Sequence, residues 1–144
     1  MKPTLKHLAP ALVATLGMAV TAAPAFAEEE PAGVSLELNK LADAASGCTL
    51  TFLVSNGQAA DIDQAVWEAV LFDRGGQVDR LTLFDFGELP AGRPRVRQFV
   101  VPDLTCGNLG QVLLNGVHAC TAPEGTACDT GLTLKSRTDA DLNG

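Results

Sequence analysis

The chain has 144 residues, with 10 Lys and Arg against 17 Asp and Glu and a formal net charge of −7. Such an acid excess disfavours nucleic acid and anionic membrane surfaces as partners, because both attract basic patches. Two methionines, two histidines, one tryptophan and no tyrosine leave few side chains for soft-metal or imidazole chemistry.

Residues 1–27 read as a secretory signal peptide. Lys2, Lys6 and His7 make a basic start, Leu8 to Ala23 is an apolar run, and Ala25-Phe26-Ala27 supplies the small residues of a cleavage site. No Arg-Arg pair precedes the run and no Cys follows the cut, so neither twin-arginine export nor a lipid anchor is expected. Cleavage would leave 117 residues with a net charge of −9, both methionines gone and His118 the remaining histidine. That length suits one domain. No second apolar run reaches the ~18 residues that span a bilayer, so no membrane insertion is expected after cleavage. All four cysteines lie beyond the cut, which places the mature chain in an oxidising compartment, periplasmic or secreted.

Residues 28–33 form an acidic leader. Val34, Leu36 and Leu38 then alternate with Ser35, Glu37 and Asn39, the period-2 pattern of a half-buried strand. Asp43 to Gly47 reads as a turn. Cys48 to Asn56 repeats the alternation, with Cys48, Leu50, Phe52 and Val54 on one face. In Gln64 to Asp73, Val66, Glu68, Val70 and Phe72 oppose Ala65, Trp67, Ala69 and Leu71. A helix over 61–71 competes there, because Ala and Glu favour helix; the β-branched and aromatic residues favour strand.

Arg74-Gly75-Gly76-Gln77 predicts a hairpin turn. Strands follow at Val78 to Phe86, Arg95 to Val101, Gln111 to Cys120 and Leu132 to Thr138, separated by Pro/Gly connectors and a small-residue loop. Seven short strands over 34–138, with no firm helix, predict an all-β fold: an antiparallel β-sandwich.

The middle of the chain resembles the FxLYD-type immunoglobulin-like domain of extracytoplasmic bacterial proteins. The resemblance lies in Leu53-Val54-Ser55-Asn56, Ala69-Val70-Leu71-Phe72-Asp73, Gly75-Gly76-Gln77-Val78, Leu89-Pro90-Ala91-Gly92 and Phe99, and covers roughly Cys48 to Val101. Phe72 stands where the motif has Tyr, and the four cysteines are an addition. The chain is also similar to small exported proteins of alphaproteobacteria. The resemblance implies an immunoglobulin-like sandwich and a role in cell-envelope interactions, and brings no catalytic residues.

Cys48, Cys106, Cys120 and Cys128 allow three pairings. If strands alternate up and down, Cys48 opens the second strand at the end where Cys106 precedes the sixth, while Cys120 and Cys128 flank one loop. The expected pairs are therefore Cys48–Cys106 and Cys120–Cys128. A redox centre or zinc site would need closer paired spacings than these. Asp139-Ala-Asp141-Leu-Asn143-Gly144 matches the opening of a calcium loop but breaks off before the position of its bidentate carboxylate; residues 139–144 are expected to be a solvated tail, with no metal and no cofactor.

Arg93, Arg95 and Arg97 alternate along the fifth strand and the approach to it. Asp79 and Asp85 would neutralise them if that strand pairs with the one before it; otherwise Arg95 and Arg97 offer a partner-binding strip on an acidic domain. Trp67 is either a core residue or, if the Val70 face turns inward, an exposed anchor beside them. His118 has no carboxylate or Ser at motif spacing, and no nucleophile motif appears, so no enzyme is expected. The leading expectation is a non-enzymatic interaction or accessory module with a protein partner in the envelope. The alternative is a small-ligand or substrate-binding protein.

Overall fold

β1 (Val34–Ala44) and β2 (Gly47–Asn56) form a hairpin, and β2 pairs on its other side with β5 (Arg95–Pro102). β3 (Ile62–Asp73) lies between β4 (Val78–Leu89) and β6 (Leu109–Thr121) in a second sheet. The computed structural model describes residues 32–144; the predicted signal peptide and most of the acidic leader lie outside the described residues. Two short strands complete the sheets, β7 (Thr133–Ser136) beside β1 and β8 (Asp141–Asn143) beside β6. The orders are β5-β2-β1-β7 and β4-β3-β6-β8. Strand two thus neighbours five and strand three neighbours six, as in immunoglobulin-like sandwiches.

The strand count is eight rather than seven, and two pairings, β1–β7 and β6–β8, are parallel. The extra strand comes from the segment expected to be a solvated tail. Ala140 and Leu142 are buried there, and a turn closed by Ser136 and Thr138 hydroxyls on the Ala140 carbonyl carries the chain from one sheet to the other. Two buried apolar side chains outweigh the polar residues around them. The helix alternative for 61–71 gives way to β3, whose inner face is Ala65, Trp67, Ala69 and Leu71.

Alternation builds the core. Leu36 and Leu38 from β1 and Leu50, Phe52 and Val54 from β2 meet Trp67, Leu71, Phe84, Phe86 and Val112 from the facing sheet. Phe52 sits centrally, its ring 5.4–5.9 Å from those of Phe84, Phe86 and Phe99. Trp67 packs edge-on against Phe86 at 5.3 Å and is 1% exposed. Trp67 is therefore a core residue and drops out of the contact surface it was expected to join if exposed. Such aromatic pairs add about 0.5–1.5 kcal/mol each beyond area burial.

Both expected disulfides form, Cys48–Cys106 and Cys120–Cys128. Cys106 stands in a 3-10 turn (Cys106–Asn108) after β5, where its amide donates to Asp43 Oδ1 at 2.9 Å. Gly76 takes the positive φ, 81°, that its turn requires. At Gly47 a side chain would strike the Val101 carbonyl, so the β2–β5 pairing at this end depends on glycine.

Candidate functional site

The outer face of the β4-β3-β6 sheet should be polar, because a two-layer sandwich leaves it in water. It is not. Register aligns Leu81, Val70 and Leu113 in one row across the three strands. The next outward row holds Leu83, Glu68 and Gly116, and the one after that Asp85, Val66 and Ala119. Phe72 and Val78 pair at the other end.

Val66 and Val70 are only 6% and 8% exposed, yet neither belongs to the core cluster. Their neighbours on the outer face cover them. Those neighbours stand in solvent: Leu81 is 60% exposed, Val78 56% and Leu83 47%. The face thus has a buried apolar floor with an exposed apolar rim along edge strand β4. Clustered exposed apolar side chains mark interaction sites, whereas single ones do not.

A recess of 250 Å³ on this face is lined by Glu68, Leu81, Thr82, Leu83 and His118. The bulges in β6 opposite Val66–Ala69 bring His118 and Glu68 to the same recess, although their sequence spacing gave no hint of it. The Glu68 carboxylate is engaged by Asn115 Nδ2 at 2.6 Å. The recess thus sets a carboxylate and an imidazole among Leu81, Thr82 and Leu83.

The arginines of β5 lie elsewhere. β5 and β4 belong to different sheets, so Asp79 and Asp85 do not face them across a ladder. Asp79 pairs instead with Arg80 at 2.5 Å, and Asp85 accepts from the Gly87 amide at 2.8 Å. Arg97 reaches across the open side of the sandwich: Nε donates to the Phe86 carbonyl at 2.6 Å and Nη2 to the Glu88 carbonyl at 3.0 Å. Arg80 makes the reverse reach, Nη1 to the Pro102 carbonyl at 2.7 Å. Among the described residues the Arg95 side chain makes a single hydrogen bond, to the adjacent Pro94 carbonyl. The strip expected to meet a partner is thus divided: Arg97 straps two strand edges together and Arg95 stays at the rim.

Leu81, Leu83 and Val78 were not among the residues singled out from sequence. The signal was present in Leu81-Thr-Leu-Phe-Asp-Phe86, which is apolar on both faces of one strand. Compared with known proteins, the chain matches no family model, no curated protein and no solved structure.

Proposed function

We propose that this chain is a non-enzymatic interaction module of the bacterial cell envelope, of the FxLYD-type immunoglobulin-like kind, exported and working in the periplasm or outside the cell. It docks a protein partner on the outer face of β4-β3-β6. The observation that carries this reading is the exposed rim of Val78, Leu81 and Leu83 beside buried Val66 and Val70. Covering the remaining exposed half of a Leu side chain contributes about 1–1.5 kcal/mol, so this rim can anchor an interface. Two disulfides suit an oxidising compartment.

The β4 and β5 edges are poorer docking sites. Arg97 occupies edge carbonyls of β4, Arg80 occupies one of β5, and strand addition needs such groups free. The face, in contrast, needs only an apolar complement.

Capture of envelope proteins on the wild-type chain, on Leu81→Lys/Leu83→Lys and on Arg95→Ala tests this. A partner retained by wild type and Arg95→Ala and lost from the double Lys variant is the expected result. Equal retention by the double variant would remove the face from the function.

A further inference from the structure

A recess of 380 Å³ opens where β1, the β3–β4 turn, the 3-10 turn and the β7–β8 turn converge. Lys40, Arg74 and Arg137 line it from three separate elements, with Asn39, Thr138 and one carboxylate, Asp139. Three cations against one acid give this lining a net charge of +2, or +1 with the Glu37 carboxylate that pairs with Arg137, on a chain whose total is −7. Local charge of opposite sign to the whole is a concentrated field, and a concave wall focuses it.

Local structure prepares these groups. A register shift between Leu38 and Lys40 marks a bulge in β1, and bulges re-aim side chains; both Asn39 and Lys40 reach the recess. Arg74 Nε donates to the Gly107 carbonyl. Arg137 Nε donates to Glu37 Oε1 at 2.7 Å, and Asn39 Nδ2 donates to the same oxygen at 2.8 Å. Each guanidinium is therefore fixed through Nε, and its two terminal nitrogens make no hydrogen bond among the described residues. A planar fork already held in place loses less freedom on binding an oxyanion than a free one. Lys40 makes no ion pair among the described residues. The nearby acids have other work: Asp43 accepts the Cys106 amide, Asp73 accepts the Gln77 amide, and Glu37 holds Arg137 and Asn39.

We infer that this recess binds a small, doubly charged oxyanion, a phosphoryl or sulfuryl group, bridged by the Arg74 and Arg137 forks with Lys40 as the third charge. The group could be carried by a soluble molecule or by a lipid head. The acidic remainder of the surface opposes an anionic bilayer, so the source is a soluble one.

Amide chemical shifts of the intact protein, titrated with inorganic phosphate at constant ionic strength against chloride, test this directly. The expected result is a saturable response confined to residues around 39–41, 74, 107 and 137–139. Lys40→Met should weaken it at least about fivefold with an unchanged melting temperature, since that side chain is exposed and makes no ion pair among the described residues; Arg137→Gln should weaken it as much, with a small drop in melting temperature from the lost Glu37 pair. Vesicles of phosphatidylglycerol form the second arm and should not retain the protein. No saturable response to phosphate, an undiminished response in Lys40→Met, or retention by vesicles with none to phosphate would each overturn the assignment.

Discussion

Arg97 Nε donates to the Phe86 carbonyl at 2.6 Å, joining the edge strand of one sheet to the edge strand of the other. The contact closes the side of the sandwich where β4 and β5 face each other, over Phe84 and Phe99 with ring centroids 4.6 Å apart. Arg97→Ala should therefore cost about 1–3 kcal/mol, the range for hydrogen bonds made by charged groups, and free the β4 edge for aggregation. Arg95→Ala should stay within about 0.5 kcal/mol of wild type. Urea unfolding of the two variants separates a strap from a bystander; equal losses would show that Arg97 has no special place.

Asn56 is the most fully used polar residue of the core region. It is completely buried, its Nδ2 donates to the Ala60 and Leu89 carbonyls at 2.9 Å each, and its Oδ1 accepts the Gln58 amide at 3.0 Å. Those bonds tie the β2–β3 loop to the end of β4. Asn56→Ala strands the buried Leu89 carbonyl at about 1–3 kcal/mol and removes two part-buried bonds, so a loss of about 2–3 kcal/mol is expected. Asn56→Asp should be no better, because a carboxylate places an acceptor against two carbonyls. A loss below about 1 kcal/mol, read from the denaturant midpoint, would contradict this accounting of the loop.

Glu37 links stability to pH. The Asn39 amide holds its carboxyl below the ordinary carboxylate range, burial opposes this, and Arg137 and Lys135 add to the lowering. A lowered folded value means the stabilisation is complete above the unfolded value of about 4.3 and disappears as pH falls through the folded one. Glu37→Gln should lose no more than about 1 kcal/mol at neutral pH, since Arg137 is largely exposed, and match wild type in strong acid. A gap between the two that widens on acidification would have the wrong sign.

The disulfides close loops of very different length, with sequence separations of 58 and 8. The chain-entropy account gives ~4 kcal/mol for the first and ~2–3 kcal/mol for the second. Replacing Cys48 and Cys106 by Ala should therefore lower the melting temperature further than replacing Cys120 and Cys128. The reverse ranking would mean that native packing around the short loop, and not chain entropy, sets the values.

The layers and both cysteine pairs were legible because alternation over Val34–Leu38, Cys48–Val54 and Ala65–Leu71 fixes which side chains face inward, and strand direction then fixes which cysteines share an end. Trp67 followed the same parity and could be placed only once the inner face was known. β8 was hidden because three residues carry too little pattern; Leu142 looks like a lone apolar residue in a polar tail until β6 lies beside it. The apolar face was hidden for another reason. Leu81, Val70 and Leu113 are far apart in sequence, and register alone makes them one surface. The strap made by Arg97 was hidden because β4 and β5 lie in different sheets, and no sequence spacing shows that an arginine on one reaches carbonyls on the other.

Amide hydrogen exchange of the intact protein, with and without the captured partner, tests the docking surface most directly. The account predicts slowed exchange across residues 66–72, 78–84 and 111–117, with β1, β2 and β5 unchanged. Protection centred on β5 and β2 instead, or none in β3, β4 and β6, would contradict it.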